Sequence, residues 1–131
     1  MLFRSQPLRN RALHVVGETT RTRFAAQLLR RSELARFGRL LYESHESCRR
    51  LYECSTPELD LVVGAARRAG ALGARMTGAG WGGSAIVLVR SHTEEERIAA
   101  AVRRAFRRAY GRDPVITPVR AGAGARREGV R

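Results

Sequence analysis

Residues 73–89 read Gly-Ala-Arg-Met-Thr-Gly-Ala-Gly-Trp-Gly-Gly-Ser-Ala-Ile-Val-Leu-Val, and the fold follows from how this stretch divides. Ala74 and Met76 alternate with Arg75 and Thr77, which is the period of a short strand. Residues 84–89 are almost continuously apolar and rich in β-branched side chains, which predicts a strand buried on both faces. Between them, residues 78–83 satisfy G-x-G-x-x-G. A dinucleotide loop needs a helix opening directly after it, because the pyrophosphate rests on the helix N-terminus, and an acidic residue at the end of a second parallel strand. Here a strand follows and no such acidic residue stands in place. A Walker loop is excluded too, since no Lys-Ser/Thr pair is present. What is left is a glycine-dense connection between two strands. It is either a tight hairpin with bulges or a backbone nest for an anion. Spacing alone favours the hairpin and reads Trp81 as a packing residue.

Outward from this stretch the period is helical. Residues 1–10, with Pro7, read as irregular. Residues 11–31 carry Leu13, Val16, Phe24 and Leu28 at helical spacing. Ser32 can cap a second helix with the stripe Leu34, Phe37, Leu41, His45, Cys48 and Tyr52. Ser55-Thr56-Pro57-Glu58 opens a third helix in one of two registers: Ser55 with Glu58 as a capping box, or Thr56 capping before Pro57 at the first position. That helix should end at Gly70. A fourth begins with Ser91 and Glu94, buries Ile98, Val102, Phe106 and Ala109, and stops at Gly111. Residues 115–119 form the expected third strand, placed at an edge by Pro118. The tail, residues 121–131, is expected to be disordered. Three strands and about four helices over residues 11–120 make an α+β domain. Their order resembles a ferredoxin-like split unit that lacks its first strand.

Composition bounds the function. With 131 residues and 44% hydrophobic content, the chain suits one modest globular domain. No apolar run is long enough to cross a bilayer, and the N-terminus lacks the pattern of a secretory signal, so a cytoplasmic location is expected. The net charge is +13, yet all 25 basic residues are Arg and none is Lys. A phosphate-binding surface would be expected to mix the two. The arginines therefore read as a solvated surface interleaved with Glu, and nucleic acid is set aside as a partner. Cys48 and Cys54 read as a reduced pair without a disulfide framework. His14 and His45 lie on helical faces with apolar neighbours, which favours packing or a helix–helix hydrogen bond over acid–base chemistry. His92, beside a helix start, reads as exposed.

Four blocks in order widen the picture. Ala12-Leu13-His14-Val15-Val16-Gly17-Glu18 with Arg21-Thr22, Glu43-Ser44-His45-Glu46-Ser47 with Arg49, Ser55-Thr56-Pro57-Glu58-Leu59-Asp60, and the glycine segment 73–83 together resemble the C-terminal region of the galactokinases. These belong to the GHMP sugar and metabolite kinase superfamily. The departures are Ala79 for a glycine, Trp81 for a phenylalanine, Ser84 for a cysteine, and Arg50 and Leu51 where acidic residues are usual. Ala79 matters most, because a Cβ would crowd a backbone that needs positive φ.

The resemblance implies a ferredoxin-like GHMP kinase C-terminal domain. It also implies an enzyme that transfers the γ-phosphoryl of Mg-ATP to the anomeric hydroxyl of galactose. The family's galactose-recognising residues, catalytic Asp and Arg, and phosphate loop precede this region and have no counterpart here. The expectation is thus a C-terminal part, from a truncated, split or incomplete gene, inactive alone and pairing with an N-terminal kinase half. No catalytic residue and no metal ligand is assigned. Gly78, Gly80, Gly82 and Gly83 are the active-site-lining candidates by resemblance, with Arg75, Thr77 and Trp81 as loop support. ATP and Mg²⁺ serve the complete enzyme and should not bind this part tightly. Two alternatives stay open: the C-terminal domain of another superfamily kinase, and a free-standing Arg-rich binding module.

Overall fold

A computed structural model describes residues 5–124 of the chain. In order they form helix α1 (Gln6–Arg30) and helix α2 (Leu34–Ser47), which runs on into a π-helical turn (Cys48–Tyr52). Helix α3 (Pro57–Arg68), strands β1 (Gly73–Thr77) and β2 (Ser84–Leu88), and helix α4 (His92–Tyr110) follow. The α+β class and the four helices agree with the sequence reading. The strand count does not: the described residues hold one antiparallel pair, with Gly73 opposite Leu88 and Thr77 opposite Ser84.

Residues 115–119 do not form the expected third strand. They run without a ladder partner, Val115 is 96% exposed, and only Ile116 packs on the core. Pro114 and Pro118 each remove a donor, which leaves the segment poorly suited to a ladder. Nor are residues 6–10 irregular. The helix starts at Gln6, with Pro7 in its first turn, where the missing N–H costs nothing. Residues 121–124 carry no helix or strand, and the rest of the expected tail lies outside the described residues.

Capping decides the helix boundaries. Thr56 accepts from the Leu59 N–H, which selects the register with Pro57 first in α3. Ser91 accepts from the Glu94 N–H, and Gly111 closes α4 at φ +67° with its N–H on the Arg107 carbonyl. Ser32 does not cap α2. It sits at φ +58° in the turn after α1, and Glu33 precedes the helix without a side-chain cap bond.

The core lies on one face of the strand pair. Ala74, Ala85 and Val87 pack with Val63, Ala65 and Ala66 of α3 and with Ile98 and Val102 of α4. Met76 packs with Cys48, Cys54 and Leu59 in a second cluster. The other face of β2 is open, with Ile86 44% exposed. The expectation of burial on both faces therefore fails, because α3 and α4 cover one side of the pair only. Helix α1 is also unlike its reading. Of its apolar stripe only Leu28 is buried, while Leu13, Val16 and Phe24 face solvent. It docks instead through polar side chains, His14 and Glu18, that bond to α2.

Helix α2 touches β1 backbone to backbone. A Cβ added at Gly38 would come within 3.0 Å of the Leu72 carbonyl, and one at Gly73 would do the same to Gly38. Gly38→Ala should therefore lower the unfolding free energy by about 2–3 kcal/mol, the usual cost of overpacking. Gly64→Ala in α3, where the nearest neighbour is the flexible end of Arg68, should raise it by about 0.5–1 kcal/mol. Urea melts of both variants check this; similar small effects would show that α2 and β1 can part cheaply.

Candidate functional site

Hydrogen bonds to α2 bring the four sequence blocks together. His14 Nδ1 lies 2.8 Å from the Ser47 hydroxyl, and the Ser44 hydroxyl donates to Glu18 Oε2 at 2.7 Å. Two residues of the first block are thereby tied to two of the second. His45, the next residue of the second block, has Nε2 3.0 Å from Asp60 Oδ1 of the third block. Ser55 of the same block donates to that oxygen at 2.6 Å. The Met76 N–H, in the glycine segment, donates to His45 Nδ1 at 3.2 Å. Helical spacing explains the division: Ser44 and Ser47, three apart, share the face of α2 turned to α1, while His45 between them faces α3 and β1, and all three are buried.

The electrostatics follow from burial. Loss of water around His45 holds its imidazole below the ordinary histidine range, outweighing Asp60 and Glu46, which pull it up. His14 is also lowered, by burial first, with Glu18 opposing. Burial would raise Glu18, but its bonds from Ser44 and Arg21 prevail and hold it below the usual carboxylate range. The Cys48 thiol is pushed up to about 11 by burial and by neighbouring Cys54, so Cys48 stays protonated and unreactive at neutral pH. Both cysteines are free, as expected.

Beyond Met76 the chain leaves β1 and enters the loop. Gly78, Gly80, Gly82 and Gly83 all have positive φ, and so does Trp81, at 54°. Ala79 does not, so the substitution singled out in the sequence falls at a position an alanine tolerates. The loop is fastened at its middle, where the Trp81 N–H donates to the Cys54 carbonyl at 2.6 Å. Gly80 makes that approach: a Cβ there would lie within 3.0 Å of both Cys54 O and Cys54 Cβ. Gly78, Gly82 and Gly83 have open space where a Cβ would go. The Cys54 carbonyl is available because the π turn ends α2 with Glu53 at φ +60° and the Cys54 N–H on the Cys48 carbonyl. No residue pattern had announced that turn.

Of the loop-support candidates, Thr77 is exposed at the end of β1, opposite Ser84. Arg75 is half-buried, and its charge acts on His14, Glu18 and Cys48, beneath α1 and α2 rather than at the loop. Its Nε is buried without a hydrogen-bond partner among the described residues. Trp81 does not pack as sequence statistics favoured. It is 65% exposed, with its ring 6.3 Å from that of Tyr52. Tyr52 lies in turn 4.8 Å from His14. A shallow groove of about 570 Å³ runs beside them along α1, lined by His14, Glu18, Thr19 and Tyr52 but by none of the glycines.

Comparison with known proteins gives this arrangement its relatives. Residues 25–108 match the family described as GHMP kinases C terminal. A galactokinase of Roseiflexus sp. is 44% identical over 124 residues, covering 93% of this chain and 31% of the relative. The human galactokinase is 52% identical over 82 residues, 62% of this chain and 21% of its own. Among solved structures, Lactococcus lactis galactokinase complexed with galactose superposes with a TM-score of 0.81 at 40% identity, over 86% of this chain and 29% of that one. A mevalonate kinase of L. major in complex with R-mevalonate matches at 0.61 and 33%, over 64% of this chain. The chain spans about a third or less of the length of the relatives it matches.

Gly80 and Gly82 separate close approach from handedness. Gly80→Ala should detach Trp81 from Cys54, so that the Trp81 amide exchanges with solvent at the rate of an open loop. Gly82→Ala, with space around it, should leave that amide protected and cost at most about 1–2 kcal/mol of backbone strain. Amide exchange followed by NMR reads both; continued protection in Gly80→Ala would contradict the tight approach.

Proposed function

The chain belongs to the GHMP kinase C-terminal family, and on that premise we propose that it serves as the C-terminal part of a galactokinase. In the complete enzyme the γ-phosphoryl of Mg-ATP passes to the anomeric hydroxyl of galactose. This part supplies a backbone wall, Gly78, Gly80, Gly82 and Gly83, with Thr77 and Trp81 beside it and Arg75 set deeper, beneath α1 and α2. The observation that carries this reading is that hydrogen bonds to α2 tie together all four galactokinase-like blocks, the last at Met76, two residues before the glycine loop. Phosphoryl transfer depends on positioning and charge neutralisation by groups from several segments. A rigid glycine wall contributes to the first of these.

The residues in hand do not fit a complete nucleotide or metal site. Among the described residues no three His, Cys, Asp or Glu side chains gather as metal ligands, and the loop offers backbone rather than charge. ATP, Mg²⁺ and galactose are therefore assigned to the complete enzyme, together with an N-terminal kinase half, and no chemical step is routed through this chain. Among the described residues no helix is long and apolar enough to cross a membrane; a cytoplasmic location is part of the proposal.

A mevalonate-type kinase is the second reading, favoured by the L. major likeness, but its lower identity and TM-score rank it behind galactokinase. An Arg-rich nucleic-acid module finds less support. Arg21, Arg36, Arg49, Arg90 and Arg107 all pair with carboxylates of neighbouring residues.

The test mixes the purified chain with the separately produced N-terminal two-thirds of the Roseiflexus relative. With Mg-ATP, galactose 1-phosphate should form in the mixture and in neither component alone. Turnover by the chain alone would overturn the assignment of catalysis to the other half. A mixture that phosphorylates mevalonate but not galactose would move the chain to the second reading.

A further inference from the structure

Among the described residues, His45 is the one side chain that hydrogen-bonds the backbone of β1 where the glycine loop departs. We infer that His45 is a positioning residue: as the neutral Nε2–H tautomer it holds the Met76 N–H and thereby sets where the glycine loop leaves the sheet. Hydrogen-bond roles fix the tautomer. Met76 N can only donate, so Nδ1 must be the acceptor. Nε2 then carries the proton and donates to Asp60 Oδ1. Asp60 is held in place by the Ser55 hydroxyl, which donates to the same oxygen. A line Ser55–Asp60–His45–Met76 therefore runs from the start of α3, through α2, to β1.

The Met76 N–H is turned toward α2, away from β2. Without Nδ1 it would be a buried donor without an acceptor, a costly state that the strand would relieve by shifting. Two residues later the chain enters Gly78, where φ is positive and no side chain restrains it. The next fastening is the Trp81 N–H on Cys54. Residues 78–80 thus hang between the last ladder pair, Thr77 with Ser84, and the Trp81 bond, and His45 holds the strand one residue before that pair. The charged groups facing it are Asp60 on α3 and Glu46 and Arg49 on its own helix and the π turn. Protonation of Nδ1 converts the acceptor to a donor, so acid should release the strand while Asp60 keeps the imidazolium. Burial delays that release to a pH below the ordinary histidine range. The sign is consistent: a histidine held neutral by the fold contributes stability above about pH 6.5, and the contribution is lost as pH falls toward its folded-state value.

The significance for catalysis rests on the proposed role of the loop; the geometry does not. Two substitutions divide the functions of the ring. In His45→Asn the amide oxygen stands on Cγ, as Nδ1 does, and can still accept from Met76. In His45→Gln the amide reaches the position of Nε2, retaining a donor for Asp60 but leaving no acceptor for Met76. Amide exchange in the full chain, with each variant checked to be folded, should show Met76 and Thr77 exchanging about tenfold faster in His45→Gln than in His45→Asn. In the wild type the same amides should lose protection as pH drops below about 6.5, and His45→Asn should abolish that step. Equal exchange in the two variants, or a pH step that survives His45→Asn and so belongs to His14 or another group, would overturn the inference. Mixed with the N-terminal two-thirds of the Roseiflexus galactokinase, His45→Gln should lower kcat with KM little changed, and His45→Asn should restore it. If the amides respond as stated but kcat does not, the loop is not an active-site wall, and it is the proposed function that fails.

Discussion

At Gly38, helix α2 meets strand β1 with no side chain between them, Gly38 lying against Leu72 and Gly73, and the remaining architecture depends on this approach. A two-stranded sheet is marginal in water, and an uncovered strand edge invites other partners. Here the helix covers the strand at backbone distance. That distance lets Tyr42 donate to the Ala71 carbonyl at 2.9 Å, and lets His45, on the same helix, meet the Met76 N–H. A residue with any side chain at 38 or 73 would push α2 outward and draw His45 out of reach. The hydrogen bond from Met76 is therefore a consequence of two glycines placed seven residues before His45 and three before Met76.

Once α2 is placed, its other side decides how α1 attaches. The residues α2 offers there are Ser44 and Ser47, and α1 answers with Glu18 and His14. The helix consequently docks there by its polar face, while Leu8, Leu13, Val15 and Val16 turn outward and Leu28 at its far end is buried. The energetics differ from those of an ordinary helix. Burying a leucine stabilises by about 1.5–3 kcal/mol, whereas a hydrogen bond returns about 1 kcal/mol net. Directional bonds fix where α1 sits more sharply than they hold it. His14 also lies against Tyr52, whose ring is 6.3 Å from that of Trp81 in the loop.

What was legible in the sequence follows from these same interactions. Local chemistry was read well: the Ser91 cap, the Gly111 stop, the two strands and the helical stripe through Leu41, His45 and Cys48 all depend on near neighbours in the chain. The register of α3 was left open between two caps because both are locally sound. Ser55 was drawn away by Asp60, five residues on, and Thr56 took the cap. The orientation of α1 is not legible in its residues, because apolar spacing points to a core only when the facing element is apolar. The third strand failed for a related reason. Residues 115–119 have the composition of a strand, but pairing needs a second edge, which composition cannot supply. The π turn after Ser47 left no trace in residue type, yet it turns the Cys54 carbonyl toward the loop.

The glycine segment shows how one sequence pattern can serve several physical needs. Its G-x-G-x-x-G spacing suits a phosphate loop only if a helix follows, and a strand follows instead. Gly78, Gly82 and Gly83 are needed for handedness, since their surroundings are empty. Gly80 is needed for handedness and for room, because the chain passes directly over Cys54 there. Ala79 is acceptable since its φ is negative, and Trp81 adopts a positive φ that its bond to Cys54 supports. A loop built this way has few side chains of its own to hold its shape. Its conformation is imposed from outside, by His45 at the entrance and Cys54 at the middle. Preorganisation of the backbone, which a glycine-rich segment cannot provide for itself, comes from the buried polar line beneath it.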